Sequence, residues 1–94
     1  MEDVEIIIVN KIIENRKSVK EANLLIDKIK SSNAPTIKLD WKDSGELTIA
    51  FVDSFLDNIR YINKIFINYN LAENLFEDVI NVTGDPMEKK MIFR

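Results

Sequence analysis

The sequence contains no cysteine and no histidine. The first absence excludes disulfides and thiolate chemistry. The second removes the commonest general base, and the two together remove the usual zinc ligands. Gly45 and Gly84 are the only glycines, so a glycine-rich phosphate cradle cannot be built. Long apolar runs are missing too. None is longer than Ile6-Ile7-Ile8-Val9, against the roughly 20 residues that a membrane-spanning helix needs. The first residues, Met1-Glu2-Asp3, are acidic where a secretory signal would be basic. The reading from these absences is a cytoplasmic protein without a membrane segment.

No charge sign dominates. Thirteen Lys and Arg stand against 16 Asp and Glu, for a net charge of −3. The charges cancel through residue 34, so the excess lies in the second half. Proteins that grip a phosphate backbone usually carry a basic face, so direct nucleic-acid binding is not expected. At 46% hydrophobic and 31% charged, the 94 residues have the composition of an ordinary globular chain. Their number suits a single domain, 1–94, with one modest core.

Val4 to Ile13 is rich in β-branched residues and nearly continuous in apolar character, which suits a strand buried on both faces. Ser18 and Glu21 form a capping-box pair. Val19, Ala22, Leu25, Ile26 and Ile29 then follow at helical spacing, and Pro35 closes the segment. Thr36 to Trp41 reads as a second strand, with Lys42-Asp43-Ser44-Gly45 as turn chemistry. From about Ala50 the period is helical. Phe51, Phe55, Ile59 and Ile62, widened by Val52 and Leu56, line one face, and Asp53, Asp57, Arg60 and Tyr61 the other. Lys64 to Tyr69 has strand composition. Asn70 and Glu73 cap a further helix with Leu71, Leu75 and Val79 inward, and Gly84 suits its C-terminal end. Asp85-Pro86 then favours another helix over residues 86–94, with Met91-Ile92-Phe93 as a short edge strand the other reading. The alternation of strand and helix predicts an α/β fold, a small mixed, mainly parallel β-sheet covered by about three or four helices.

Without histidine or cysteine, a carboxylate-bound magnesium ion is the remaining enzymatic option, with Asp40, Asp43, Glu46, Asp53 and Asp57 as candidates. Three of them have an ordinary explanation. Asp40 ends a strand and suits a turn. Asp53 is placed in the first turn of its helix, where the dipole favours a carboxylate. Asp57 pairs with Arg60 at i+3. Arg16, Lys17 and Lys20 read as a charged entry to an exposed helix. Trp41, the only tryptophan, reads as a packing residue.

Three short motifs carry a resemblance: Arg16 ahead of the first helix, Asp40-Trp41 at the end of a strand, and Phe51-Val52-Asp53 opening the next helix. With Lys64-Ile65-Phe66-Ile67-Asn68-Tyr69-Asn70-Leu71 after them, the chain resembles the STAS-like domains, relatives of the anti-sigma-factor antagonists. The resemblance implies a regulatory module that binds a protein partner. Antagonists of that group carry a phosphorylated serine just before the helix. The matching position here is Ala50, with Thr48 and Ser54 nearby but out of register.

The expectation is therefore a non-enzymatic protein-interaction module without metal or cofactor. It would dock a partner through the loop 43–49 and the following helix, with Asp43, Ser44, Thr48, Ala50, Asp53, Ser54 and Asp57 as the contact residues. The alternative reading is a small phage or mobile-element protein that inhibits a host nucleic-acid enzyme by stoichiometric binding. Ile6 to Val9 would be hazardous as a bare edge strand, so it should be central, covered, or paired across a homodimer interface.

Overall fold

The computed structural model describes residues 3–14, 16–42, 47–71 and 91–93. Four strands, β1 (Val4–Ile8), β2 (Thr36–Asp40), β3 (Ile65–Tyr69) and β4 (Met91–Phe93), form one sheet in the order β1-β2-β3-β4, and every neighbouring pair is parallel. Among the described residues three helices accompany them: a single turn α1 (Val9–Ile12), α2 (Val19–Lys30) and α3 (Ile49–Ile59). The expected α/β class with a parallel sheet is the observed one.

Parity along the strands divides the sheet into two faces. Ile7, Ile37, Leu39, Phe66, Asn68 and Met91 are buried. The register lines them up in rows, Ile37 beside Phe66 beside Met91, and Ile7 beside Leu39 beside Asn68. α2 and α3 pack on each other. They contribute Ala22, Leu25, Ile26, Ile29, Phe51, Val52, Phe55, Leu56 and Ile59 to the same core. Full burial of a leucine, isoleucine or phenylalanine contributes about 1.5–3 kcal/mol, so this shared layer is the main source of stability. The opposite parity, Ile6 with Lys38 with Ile67 with Ile92, forms the other face.

The first strand is shorter and more exposed than its composition suggests. β1 ends at Ile8, and Val9–Ile12 turns into a helix. Lys11 explains the switch. A continued strand would place Lys11 on the face of Ile7, Val9 and Ile13 and bury its ammonium group. One helical turn instead keeps Val9 and Ile13 buried at i and i+4 and leaves Asn10 and Lys11 exposed. Nor is the strand buried on both faces. β1 lies at the edge of the sheet, and Ile6 is 66% exposed and Ile8 39%.

α2 begins where its cap predicts, with the Ser18 side chain accepting from the Glu21 N–H at 3.3 Å. Lys28 and Lys30 in its last turn suit the negative end of the helix dipole. Of its apolar stripe, Val19 lies outside the core and is exposed. The loop after α2 is tied down from two sides. Ser32 donates to Glu5 Oε1 at 2.9 Å and accepts from the Ala34 N–H at 3.2 Å. The Lys64 ammonium donates to the carbonyls of Ser32 and Ala34.

Met91–Phe93 is a strand, which overturns the helical reading of that segment. It pairs with β3, and Met91 extends the buried row begun by Ile37 and Phe66. A helix there would leave the outer hydrogen-bonding edge of β3 without this partner. Residues 72–90, which hold the expected helix beyond Leu71 and the start of the expected 86–94 helix, lie outside the described residues. Among the described residues no helix is long and apolar enough to cross a membrane.

Candidate functional site

In an open parallel sheet, ligands and partners usually meet the carboxyl ends of the strands. Here that end carries Asp40, Trp41, Tyr69 and Asn70, with the N-termini of α2 and α3 alongside. Arg16 pairs with Leu47 in an isolated parallel bridge, and the Thr48 N–H donates to the Arg16 carbonyl at 3.0 Å. Thr48 then caps α3: its Oγ1 accepts from the Phe51 N–H at 3.2 Å and donates to the Lys17 carbonyl at 2.9 Å. The entries to both helices are thereby stitched together.

Below this stitch lies an aromatic cluster. Trp41 is buried and meets Phe51 and Phe55 edge to face, at centroid distances of 6.2 and 5.8 Å. Phe51 and Phe55 are themselves stacked at 6.0 Å. The Arg16 guanidinium sits 5.3 Å from the centre of the Trp41 ring. Arg16 is buried, which corrects its reading as part of an exposed charged entry; Lys17 and Lys20 do remain exposed. Desolvation lowers the Arg16 pKa from its ordinary value, yet a guanidinium stays charged at neutral pH. A cation over an indole face in a desolvated setting is a favourable arrangement, worth up to about 2 kcal/mol. Its chemistry here is structural, locking the 16–17 segment over the core.

Asp40 behaves as a turn residue. Its Oδ1 accepts from the Lys42 N–H at 3.1 Å and from the Asn70 side-chain amide at 2.9 Å. The Asn70 bond, then the Lys42 N–H and charge, hold the Asp40 pKa below the usual aspartate value. Asn70 adopts φ 61°, a region that asparagine tolerates better than most residues. Lys38 lies over the Tyr69 ring at 5.9 Å on the outer face of the sheet.

The contact residues expected from the sequence fall into three groups. Asp43 and Ser44, like Gly45 and Glu46, lie outside the described residues. Thr48 is engaged by its cap and by Lys17, and Ser54 is half-buried. Ala50, Asp53 and Asp57 stand exposed on α3. Asp53 is not in the first turn, as the sequence suggested. Thr48 starts the helix at Ile49, so Asp53 is its fifth residue and the first turn carries no acid. Asp57 makes the expected exposed ion pair with Arg60, at 3.9 Å. Among the described residues, no three acidic side chains gather as metal ligands.

Two exposed apolar residues of the α3 segment escape a reading based on the acids. Ile49 is 68% exposed and Tyr61, just past the helix, 83%. Ile49, Asp53 and Asp57 stand at successive i+4 positions of α3, and Tyr61 follows in the turn past its end, so the acids lie between two exposed apolar residues. The signal was present in the spacing, but Ile49 reads as ordinary apolar content until Thr48 is known to start the helix. Asn68 was also missed. It occupies an inward position of β3, the parity of Phe66, and a buried tryptophan needs a partner for its N–H. Comparison with family models, with curated proteins and with solved structures gives no match for this chain.

Proposed function

We propose that the chain is a non-enzymatic protein-interaction module of STAS-like regulatory type. It would dock a partner through the outer face of α3 and the adjoining loop 43–49. The observation that carries the reading is the series Ile49, Asp53, Asp57, Tyr61: two large exposed apolar groups flanking two exposed carboxylates. Such a surface suits a basic partner segment with apolar flanks, the apolar ends supplying area and the acids orientation. Arg16, Trp41 and Phe51, three residues of the motifs that carry the resemblance, pack into one cluster. A phosphoswitch of the antagonist kind has no hydroxyl at Ala50, and the Thr48 hydroxyl is engaged in the cap. The mode proposed is therefore constitutive binding.

The test is affinity capture from host extract with wild-type chain and with the double variant Asp53→Lys, Asp57→Lys as baits. Both positions are exposed, so the thermal midpoint should hold. Proteins retained by wild type should be lost from the variant. Identical captured sets would remove α3 as the docking surface.

A further inference from the structure

β1 is an edge strand, and among the described residues only β2 pairs with it. Natural edges are usually blunted by charge, proline, a bulge or shortness. On the outer face β1 presents Val4, Ile6 and Ile8, without charge or proline. The opposite edge, β4, spans three residues against five. Ile6 and Ile8 are also among the exposed large apolar side chains of the chain.

We propose that β1 is the seat of a symmetric homodimer, in which it pairs antiparallel with β1 of a second copy and joins the two described sheets into one. Self-complementarity selects this occupant. When Ile6 faces Ile6 of the partner copy across the twofold axis, Val4 falls opposite Ile8 and Glu5 opposite Ile7. Every facing pair shares its parity. The groups that point outward on one strand therefore meet those that point outward on the other, whichever set that is. The outer face gains Ile–Ile and Val–Ile cross-strand pairs, the kind that favours sheet formation. The two Glu5 side chains are kept from facing each other, and each is anchored to Ser32 of its own copy. An isologous contact of this kind closes after two copies, which turns an open edge into a paired one. A five-residue pairing is small beside a standard interface, so the dimer should depend on concentration.

The absence of cysteine makes the register directly testable. In this pairing the two residues at position 6 are directly opposite, about 4.5–5.5 Å apart between Cα atoms, within disulfide reach. The two residues at position 8 are offset by four residues, about 14 Å along the strand. Mild oxidation of the full-length Ile6→Cys chain should give a disulfide-linked dimer, and Ile8→Cys should stay uncrosslinked under the same conditions. Sedimentation equilibrium of the unmodified chain should show a monomer–dimer equilibrium that Ile6→Lys weakens about tenfold or more. The proposal is overturned if wild type is monomeric up to its highest soluble concentration. It is equally overturned if the Ile8→Cys chain crosslinks as readily as the Ile6→Cys chain, or if Ile6→Lys leaves the equilibrium unchanged.

Discussion

The Trp41 indole N–H donates to the Asn68 side-chain oxygen at 2.8 Å, and both residues are buried. The Asn68 amide also donates to the Ile92 carbonyl at 3.2 Å. One buried asparagine thus satisfies the end of β2 and holds β4 onto β3. Asn68→Leu would leave a buried indole N–H without its acceptor and remove a tie to β4. A destabilisation of about 2–3 kcal/mol is expected. Denaturant unfolding followed by the emission of the single tryptophan measures it directly, and a loss under about 0.5 kcal/mol would show that the network carries little stability.

Phe55 touches both Trp41 and Phe51, so Phe55→Ala opens a cavity at the centre of the core. The expected cost is about 3–5 kcal/mol. Near-ultraviolet dichroism should lose the aromatic signature of the cluster even where the variant remains folded. An unchanged spectrum would mean that the edge-to-face packing does not persist in solution.

Thr48 joins two helix entries through one hydroxyl. Thr48→Ala removes the cap of α3 and the bond to Lys17, with an expected loss of about 1–2 kcal/mol. Thr48→Ser keeps an oxygen at the same place and should recover most of it. If both variants unfolded at the same denaturant concentration, the hydroxyl would not be the stabilising group.

Asp40 supplies a pH dependence. Its folded-state pKa is lowered, chiefly by the Asn70 side chain and then by Lys42. A carboxylate with a lowered folded pKa stabilises the fold above its unfolded value, about 3.9. That contribution fades as the pH falls from there through the folded value. Asp40 is partly exposed, so solvent screening holds the effect to about 1 kcal/mol or less. The stability gap between wild type and Asp40→Asn should favour wild type at about pH 7 and shrink as the pH falls below about 4. A gap that widened on acidification would contradict this sign.

Local chemistry made much of the fold legible. Ser18 marked the start of α2, and the apolar spacing of Phe51, Phe55 and Ile59 marked the buried face of α3. The stretch Thr36 to Trp41, and the strand composition of Lys64 to Tyr69, marked β2 and β3. The departures came from tertiary placement. Whether Val4 to Ile8 is central or at an edge depends on strand order, which composition does not encode. Whether Met91–Phe93 is helix or strand depends on β3 offering an open ladder, a non-local condition that the local pattern does not encode. Arg16 looked like surface charge because no local pattern announces that an indole will lie beneath it. At the candidate site, the acids of α3 were visible by spacing. Of their apolar flanks, Tyr61 was placed on the same outer face by spacing, whereas Ile49 is defined as exposed only once Thr48 is known to start the helix.

The strand order follows the chain order, and this bears on how the chain is made. Each strand pairs with the next one synthesised, so no pairing among the described strands waits for a later segment to insert between earlier ones. β1, α2 and β2 can close on one another as soon as Asp40 clears the ribosome, and each later strand adds to an existing edge. That sequence of closures keeps the growing edge at the newest strand, where its partner is the next stretch of the same chain. β1, laid down first, keeps its outer edge open throughout this order, because every later strand of the described sheet adds on its other side.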